Sequence, residues 1–432
     1  MIKSLFSAIL LSSPLLAEWH QFRGPANDGI YPPREDGEKH GFVTEWSEKK
    51  NVIWKTPVTG RAWSTPVVAG DEVWLSNATE DGREMFAVCL DRKTGKKLHD
   101  FLLFKNEAPE ALSNHVNGYG SCSPTIDAEL VYFHFGSYGT AALDRKTGKK
   151  IWERRDLPCR HFRGPGSSVV LHKETLILTM DGVDHQYLVA LDRKTGKNVW
   201  RTDRTTDFGD VEPGGKIRGD GDFRKAYTTP NLVTIGGVTQ LVSCGAKACY
   251  GYDADTGKEL WKVTYKGFSN APTPIFIGNE MAILNTGLGK AHVLGLRLDD
   301  KMTGDITKSH VEWDIFKRMP GRSSPVAVNG KLYLVSESGI LSLVDAKTGE
   351  IEKFKSLKGG FSSSGIYADG LLYFPSEEGK VVIVKPGPDL EIIATNQLDD
   401  GFMASPALAG DSIFLRSKSH VYRIGPKYAS SS

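Results

Sequence analysis

Arginine, histidine, asparagine and aromatic residues recur just before a series of short apolar segments in this 432-residue chain. Arg binds carboxylate or phosphate groups through paired hydrogen bonds, and aromatic rings stack on planar or sugar-like groups. The candidate ligand- or partner-binding residues are Arg61, Trp63, His115, Asn117, Tyr119, His161, Arg163, Arg224, Tyr227, Asn270, Arg318 and Arg322. If the fold brings them together, they would form a surface for an anionic ligand or partner. The alternative is that they only close a channel by packing and local hydrogen bonds.

Motifs for other chemistry are not evident in the sequence. No nucleophile elbow, phosphate-binding loop or zinc signature occurs in a suitable context. Four histidines fall in neighbouring repeats and could converge on a metal ion, although they lack the close spacing of metal ligands. They are His115, His134, His161 and His185. Catalytic residues are therefore unassigned, and we assign no metal site.

Residues 205–226 form an acidic, glycine-rich insertion with five carboxylates. Carboxylate oxygens could hold calcium, which prefers oxygen ligands. The spacing is not that of a known calcium-binding loop, so a solvated insertion is the favoured interpretation.

Repeated elements must position these residues. An apolar residue, Asp, two variable residues and Thr-Gly occur together five times at a spacing of about 50 residues, which indicates a repeat architecture. The copies are Asp91–Gly95, Asp144–Gly148, Asp192–Gly196, Asp253–Gly257 and Asp345–Gly349, with a worn sixth copy at Asp300–Gly304. Asp can accept backbone N–H groups across a turn, and Gly supplies a positive φ. Each copy therefore predicts a β-hairpin turn between two strands.

A second landmark, a Ser or Thr that is mostly followed by Pro, opens each repeat. These openings are Thr65-Pro66, Ser123-Pro124, Ser167-Ser168, Thr229-Pro230, Thr273-Pro274, Ser324-Pro325, Ser363-Ser364 and Ser405-Pro406. They count out eight units of four strands, which predicts an all-β fold: an eight-bladed β-propeller of four-stranded antiparallel blades. The last unit has no room for its fourth strand, so we expect the N-terminal strand at residues 51–58 to close the ring.

Tryptophan recurs in the strand that follows the turn. The positions are Trp54, Trp152, Trp200, Trp261 and Trp313. A Trp at the same place in successive blades is expected to pack between neighbouring sheets, with its N–H bonded to backbone. We therefore assign these five residues a structural role in blade docking.

The repeated phrase, with Trp four residues beyond the turn Gly, resembles the pyrroloquinoline-quinone-like (PQQ-like) β-propeller repeat over residues 51–426. The segment Trp19–Pro25 further resembles exported bacterial proteins of this family. The family includes quinoprotein dehydrogenases and the outer-membrane assembly propeller lipoprotein. The resemblance therefore implies the fold more firmly than the chemistry.

A quinoprotein would imply PQQ with calcium, an adjacent Cys-Cys disulfide and a catalytic Asp. This chain has five cysteines and no Cys-Cys pair, and we match no calcium-binding set. We therefore assign no cofactor and keep PQQ with calcium as the alternative. The mouth Arg residues would then hold the quinone carboxylates.

The first 17 residues have a positive start, an apolar stretch too short to span a bilayer and a small-residue cleavage point after Ala17. They predict a signal peptide and a periplasmic or secreted protein. Residues 18–50 are expected to form an N-terminal extension wrapping the outside, 51–426 the propeller and 427–432 a C-terminal tail. A formal net charge of +2 indicates no nucleic-acid partner. No transmembrane segment is expected.

The odd cysteine count leaves at least one thiol unpaired if every disulfide is internal. Cys244 and Cys249 flank a four-residue loop and could bridge across a hairpin. They could equally pack as two small apolar residues, and the sequence slightly favours this second interpretation.

Two functional hypotheses follow. The first is a monomeric, exported, non-catalytic propeller that binds a protein, peptide or carbohydrate partner through one mouth of the ring. The second is a PQQ-dependent alcohol or sugar dehydrogenase. The missing quinoprotein features favour the first hypothesis.

Overall fold

The computed structural model describes residues 19–112 and 116–427. Eight antiparallel sheets form the blades of a β-propeller, which confirms the predicted fold. Seven sheets have four strands, and the fourth has a fifth strand, β21 (Gly304–Asp305), that pairs parallel to its outer strand. A seven-residue 3-10 segment, Arg218–Arg224, and a four-residue helix, α1 (Thr307–His310), complete the regular structure of the described residues.

Each blade runs from an inner strand at the channel to an outer strand at the rim. Blades 1 to 4 comprise β2 (Val67–Ala69), β3 (Glu72–Ala78), β4 (Glu84–Asp91) and β5 (Lys97–Lys105); β6 (Thr125–Ile126), β7 (Leu130–His134), β8 (Thr140–Asp144) and β9 (Lys150–Arg154); β10 (Val170–His172), β11 (Thr175–Asp181), β12 (Gln186–Asp192) and β13 (Asn198–Asp203); and β14 (Asn231–Ile235), β15 (Val238–Cys244), β16 (Ala248–Asp253) and β17 (Glu259–Thr264).

The second half of the ring repeats this plan. Blades 5 to 8 comprise β18 (Ile275–Ile277), β19 (Met281–Asn285), β20 (Val293–Arg297) and β22 (Val311–Ile315); β23 (Val326–Val328), β24 (Lys331–Val335), β25 (Ile340–Asp345) and β26 (Ile351–Ser356); β27 (Ile366–Ala368), β28 (Leu371–Pro375), β29 (Lys380–Lys385) and β30 (Glu391–Gln397); and β31 (Ala407–Ala409), β32 (Ser412–Arg416), β33 (His420–Ile424) and β1 (Val52–Pro57).

The N-terminal strand closes the ring. Strand β1 pairs antiparallel with β33, with Trp54 opposite Arg423 and Thr56 opposite Val421. This pairing supplies the fourth strand that the last repeat lacks. It confirms the predicted closure, which leaves no unfinished blade in the ring.

Burial follows the position of a strand within its blade. The second strand of blade 2, β7, is buried at every residue because neighbouring blades cover both of its faces. The outer strand β13 has no buried residue. Central strands therefore read as continuous apolar runs, whereas outer strands carry charges.

The repeated Asp-x-x-Thr-Gly phrase forms the predicted turn. Asp91 Oδ1 accepts hydrogen bonds from the N–H and the hydroxyl of Thr94, both at 2.7 Å. Gly95 donates its N–H to the Asp91 carbonyl at 2.8 Å with φ +70°. The same bonds occur at the copies beginning with Asp144, Asp192 and Asp345.

The worn copy Asp300–Gly304 does not form this turn. Gly304 instead begins β21, which pairs with Trp261 and Lys262 of β17, and α1 follows before β22 starts. The extra residues between β20 and β22 therefore widen the connection and fill the junction between blades 4 and 5.

The turn glycine is also where neighbouring blades touch. A Cβ on Gly95 would lie 2.6 Å from the Trp54 ring, and a Cβ on Gly196 would lie 2.7 Å from the Trp152 ring. The indole N–H of Trp54 donates to the Arg92 carbonyl at 2.9 Å, and that of Trp152 to the Arg193 carbonyl at 2.9 Å. Glycine is thus required at this position for two reasons: the backbone has a positive φ, and a side chain would collide with the indole.

Trp313, Trp200 and Trp261 differ in detail. Trp313 donates to the Ala346 carbonyl at 3.2 Å in the same manner. Trp200 packs on the next turn, but its buried indole N–H has no partner among residues 19–112 and 116–427. Trp261 packs within the core between blades 4 and 5, and donates to the side chain of Gln240 at 2.7 Å instead of to backbone.

The N-terminal extension does not lie only on the outside. Residues 19–31 cross one end of the central channel and bond to the beginnings of several inner strands. The contacts are Trp19 O to Val68 N, His20 O to Ile126 N, Asn27 Nδ2 to Pro230 O, Arg23 Nη2 to Pro325 O, and Tyr31 N to Tyr367 O. The expectation of an outer wrap is therefore wrong for this half of the extension, because its apolar and hydrogen-bonding groups are buried in the channel.

The second half of the extension runs outside blade 7. His40 donates its N–H to Asp369 at 2.9 Å, and Trp46 donates its N–H to Asn396 of the outer strand β30 at 2.8 Å. The expected signal peptide, residues 1–17, lies outside the described residues. Across 19–112 and 116–427, no helix is long and apolar enough to cross a membrane.

Candidate functional site

A cavity of about 250 Å³ occupies the central channel on the side where the chain enters each inner strand. Phe22, from the segment that crosses the channel, is part of its lining and forms the floor. Among the predicted mouth residues, the lining contains Trp63, Asn117, Arg163, Tyr227 and Arg322. The cavity therefore lies between the crossing N-terminal segment and the connections that lead into the inner strands.

Six other predicted residues lie outside this lining, and His115 lies outside the described residues. Tyr119 is buried and donates its hydroxyl to the Glu110 carbonyl at 3.0 Å. Arg224 bonds to Asp210 at 2.7 Å, and the Arg318 guanidinium packs 4.9 Å from the Phe354 ring centre. These contacts hold the connections between blades in place.

Three more of these residues also support loop structure. Arg61 pairs with Ala78 and Tyr119 through its backbone, and Asn270 accepts the Tyr227 N–H at its carbonyl at 2.6 Å. His161 accepts the Ser137 N–H at Nε2 at 3.0 Å. Burial lowers the pKa of His161 well below its usual value, so its imidazole carries no charge near neutral pH.

Two arginines lie on the cavity wall, and each is oriented by a carboxylate behind it. Arg163 forms two bonds to Asp222, from Nη2 at 2.8 Å and from Nε at 3.2 Å. Arg322 donates to Ser362 at 3.1 Å, and Glu377 accepts the Ser362 hydroxyl proton at 2.6 Å. About a third of each Arg side chain stays exposed, 33% and 32%. The guanidinium groups are thus held in place while keeping N–H groups for a ligand.

The acidic insertion supplies part of this arrangement. Asp222 and Asp210 bond to Arg163 and Arg224, so these two carboxylates are occupied by guanidinium groups. The Asp222–Arg163 pair therefore ties the insertion to the connection before blade 3. The Asp210–Arg224 pair lies within the insertion itself. Among residues 19–112 and 116–427, no cluster of three or more His, Cys, Asp or Glu could hold a metal ion.

A ring of hydroxyl groups surrounds the channel. The Ser or Thr that opens one repeat donates its backbone N–H to the hydroxyl of the Ser or Thr that opens the next. The six links are Thr65 to Ser123, Ser123 to Ser168, Ser168 to Thr229, Thr273 to Ser324, Ser324 to Ser364, and Ser364 to Ser405, at 2.9–3.0 Å. The sequence contains this series of residues, but their types predict only the starts of strands and not the links between them.

The hydroxyl ring makes the cavity rich in hydrogen-bond donors. Ser168, Thr229, Ser324, Ser364 and Ser405 line it, and each hydroxyl accepts a backbone N–H. Within the described part of the chain none of these five hydroxyls donates to a protein acceptor, so each keeps a proton for a ligand.

The described residues leave two gaps in the ring, one between blades 4 and 5, where the Thr273 hydroxyl has no partner, and one between blades 8 and 1. There the buried Thr65 hydroxyl and the Trp63 indole N–H, both in the lining, have no partner in the described structure. No Asp or Glu is found in the described lining. The cavity thus offers donors and two cations, but no anionic acceptor. Acceptor groups on a ligand would complement these donors.

The lining is a poor match for a quinoprotein catalytic site. Arg163, Arg322 and the hydroxyl ring could hold the carboxylates of PQQ. However, no carboxylate in the described lining could ligate the calcium ion or accept a proton from an alcohol. The residues present therefore do not fit PQQ with calcium as a catalytic pair.

A family profile described as "Outer membrane protein assembly factor BamB" matches residues 37–156, 88–220 and 184–428. No curated protein sequence matches the chain. Solved structures include BamB from Moraxella catarrhalis, with 16% identity and a TM-score of 0.53, covering 83% of this chain and 96% of that chain.

Dehydrogenase structures are similar to the chain as well. A europium-containing methanol dehydrogenase has 12% identity and a TM-score of 0.68, and the match covers 94% of this chain and 90% of the dehydrogenase chain. The quinohemoprotein alcohol dehydrogenase from Comamonas testosteroni has 11% identity and a TM-score of 0.63, covering 96% and 82%. At these identities the likeness shows the fold alone.

Proposed function

Because the chain belongs to the family of PQQ-like propellers described as outer membrane protein assembly factor BamB, we propose that it is an exported, non-catalytic binding module. It holds a protein, peptide or carbohydrate partner at the open mouth of the ring. The N-terminal pattern and the outer-membrane role in the family description support export. The chain shares its fold with dehydrogenases, but a shared fold does not imply a shared catalytic activity.

The observation that carries this proposal is the donor-rich lining of the cavity. Arg163 and Arg322 face a space bordered by hydroxyl protons and, in the described lining, by no carboxylate. A volume of about 250 Å³ is below the range of roughly 300–1,000 Å³ typical of small-molecule sites. It suits an acidic side chain, chain end or acidic sugar unit of a larger partner.

Two aromatic residues form part of the cavity wall. Trp63 and Tyr227 lie in the lining together with Met403, above the floor at Phe22. Aromatic faces suit a peptide group or a sugar ring adjacent to the acidic group. The partner therefore combines an anionic group with a flat or apolar neighbouring unit.

The test uses the full chain and defined probes. Fluorescein-labelled hexaglutamate, oligogalacturonate and hexalysine are titrated with the protein, and fluorescence anisotropy gives the dissociation constants. We expect an acidic probe to bind and hexalysine not to bind. The double variant Arg163→Gln/Arg322→Gln should weaken acidic-probe binding by about tenfold or more, since a hydrogen bond to a charged group contributes roughly 1.5–3 kcal/mol.

Arg318→Gln is the matched control, because Arg318 lies near the same connections but outside the lining. Unchanged binding in the double variant, or an equal loss in the control, would show that the cavity is not the binding site.

The alternative function is a PQQ-dependent alcohol or sugar dehydrogenase, whose fold the chain shares. PQQ and calcium are added to the purified protein, and dye-linked oxidation of methanol, ethanol and glucose is measured. The binding proposal predicts no turnover. Turnover that disappears in the double Arg variant would replace it with the dehydrogenase function.

A further inference from the structure

Cys244 and Cys249 face each other across one hairpin of blade 4. Cys244 ends β15 and Cys249 is the second residue of β16, and the two are opposite each other in the antiparallel register. Both side chains are fully buried, and their sulfur atoms lie 2.7 Å apart. The structure gives all five cysteines as free thiols.

The register of the hairpin places the two cysteines directly opposite each other, at a backbone spacing that suits a disulfide. Opposed residues in an antiparallel pair have Cα atoms about 4.5 or 5.5 Å apart. Disulfides form over Cα separations of about 4.4–6.8 Å. The sequence slightly favoured two packed thiols, but register and side-chain direction both place these sulfurs against each other.

We propose that Cys244 and Cys249 form a disulfide that closes the β15–β16 hairpin of blade 4. The remaining thiols have different surroundings. Cys89 contacts the Leu90 carbonyl, and Cys159 lies 3.8 Å from His161 Nδ1. In the described structure, neither they nor Cys122 has a sulfur contact with another cysteine.

The bond forms by thiol–disulfide exchange with a disulfide oxidant, either a protein disulfide or glutathione disulfide. The two thiols lose two protons and two electrons as the S–S bond forms. The disulfide of the oxidant accepts them and becomes two thiols. Burial raises the pKa of the Cys249 thiol well above its usual value, which disfavours the thiolate of Cys249 in the folded chain. Both sulfur atoms are fully buried, so the oxidant must reach them while the hairpin is exposed.

The disulfide would brace a loop that supports the mouth of the cavity. Lys247, at the tip of the hairpin, donates its N–H to the Gly267 carbonyl at 2.7 Å, and its ammonium group contacts the Phe208 carbonyl. Tyr265 donates its hydroxyl to the carbonyls of Gly245 and Ala248 at 2.8 and 3.0 Å. Phe208 belongs to the insertion that carries Asp222. The bridge thus stiffens the wall behind the insertion.

Mass spectrometry tests the bond directly. The full chain is reduced, unfolded, refolded in a glutathione redox buffer containing glutathione disulfide, and then unfolded with iodoacetamide in the absence of reductant. Trypsin cuts after Lys247, which lies between the two cysteines. A bridged protein therefore yields peptide 226–247 linked to peptide 248–258, and reduction separates the pair. Cys89, Cys122 and Cys159 serve as internal controls and should be alkylated.

Alkylation of both Cys244 and Cys249 after oxidative refolding would overturn the proposal. A second measurement does not depend on refolding. Reductant should lower the melting temperature of oxidised wild-type protein, but should not change that of the Cys244→Ala/Cys249→Ala variant. An equal response of both proteins to reductant would also overturn it.

Discussion

Arg163 and Asp222 form a two-bond ion pair at the wall of the central cavity, with Nη2 2.8 Å from Oδ2. Arg163 precedes the inner strand of blade 3, whereas Asp222 lies in the 3-10 segment of the acidic insertion before blade 4. The pair connects two successive blades across the mouth. It also keeps the guanidinium beside the cavity instead of folded onto the surface.

Asp222→Asn tests how this carboxylate affects anion binding. The amide retains the size and one acceptor oxygen of the side chain, but removes a negative charge that competes with an acidic ligand. Partly exposed ion pairs contribute about 0.5–1 kcal/mol, so hexaglutamate should bind about two- to fivefold more tightly. Fluorescence anisotropy measures the change. Asp207→Asn is the control, because within the described part of the chain Asp207 bonds only to the Gly209 N–H. Weaker binding in Asp222→Asn would contradict this expectation.

Gly95→Ala and Gly330→Ala separate backbone strain from steric contact. Gly95 and Gly330 have similar φ values, +70° and +74°, but only at Gly95 would a Cβ meet a ring, that of Trp54. We expect Gly330→Ala to cost about 1–2 kcal/mol from the left-handed backbone alone. Gly95→Ala should cost roughly 1–3 kcal/mol more, because the added methyl displaces the indole. Urea unfolding midpoints test this order, and equal losses would refute the contact argument.

Trp152→Phe and Trp200→Phe test the indole hydrogen bond between blades. The two residues occupy equivalent positions on the next turn, but only Trp152 donates its N–H to a backbone carbonyl. Both substitutions remove the same atoms. Trp152→Phe should therefore destabilise the protein by about 1 kcal/mol more than Trp200→Phe, the net contribution of one hydrogen bond. Thermal unfolding of both variants measures the difference. A larger loss in Trp200→Phe would be inconsistent with the bonding pattern.

Asp345→Asn tests the acid stability of the repeated turn. Hydrogen bonding to Lys331 and to Thr348 lowers the pKa of Asp345 to about 2. The folded chain therefore holds the charged form more strongly than the unfolded chain does. The stabilisation by the charged Asp345 carboxylate is complete above about pH 4, near the pKa of this group in the unfolded chain. It is lost as the pH falls through about 2, the pKa in the folded chain. The melting-temperature difference between wild type and Asp345→Asn should shrink over this window. A difference that is constant from pH 5 to pH 2 would contradict this assignment.

The architecture was predictable because its signals are local. The Asp91–Gly95 turn depends on one carboxylate, one hydroxyl and one positive φ within five residues, so the residue types alone specify it. The copy Asp300–Gly304 has the same pattern of residue types but does not form this turn. There the longer connection, with its own helix and its pairing to β17, outweighs the local preference.

The cavity was predictable only in part. Each connection before an inner strand has several polar residues, and the path of the loop decides which one faces the channel. Arg163 and Arg322 reach the lining, whereas Arg224 turns to Asp210 and Arg318 packs on Phe354. Phe22 was not a candidate, because its place at the floor depends on a segment that crosses the ring from the other side.

The sequence by itself determined the repeat, the number of blades and the positive φ of each turn glycine, since these depend on neighbours close along the chain. It also predicted the closing strand, because the last repeat has no room for a fourth strand of its own. Only the tertiary structure decided which residues share the cavity, that residues 19–31 block one end of it, and that Cys244 faces Cys249. These features join groups from distant repeats or depend on exact register, and such proximity has no signature in the order of residues alone.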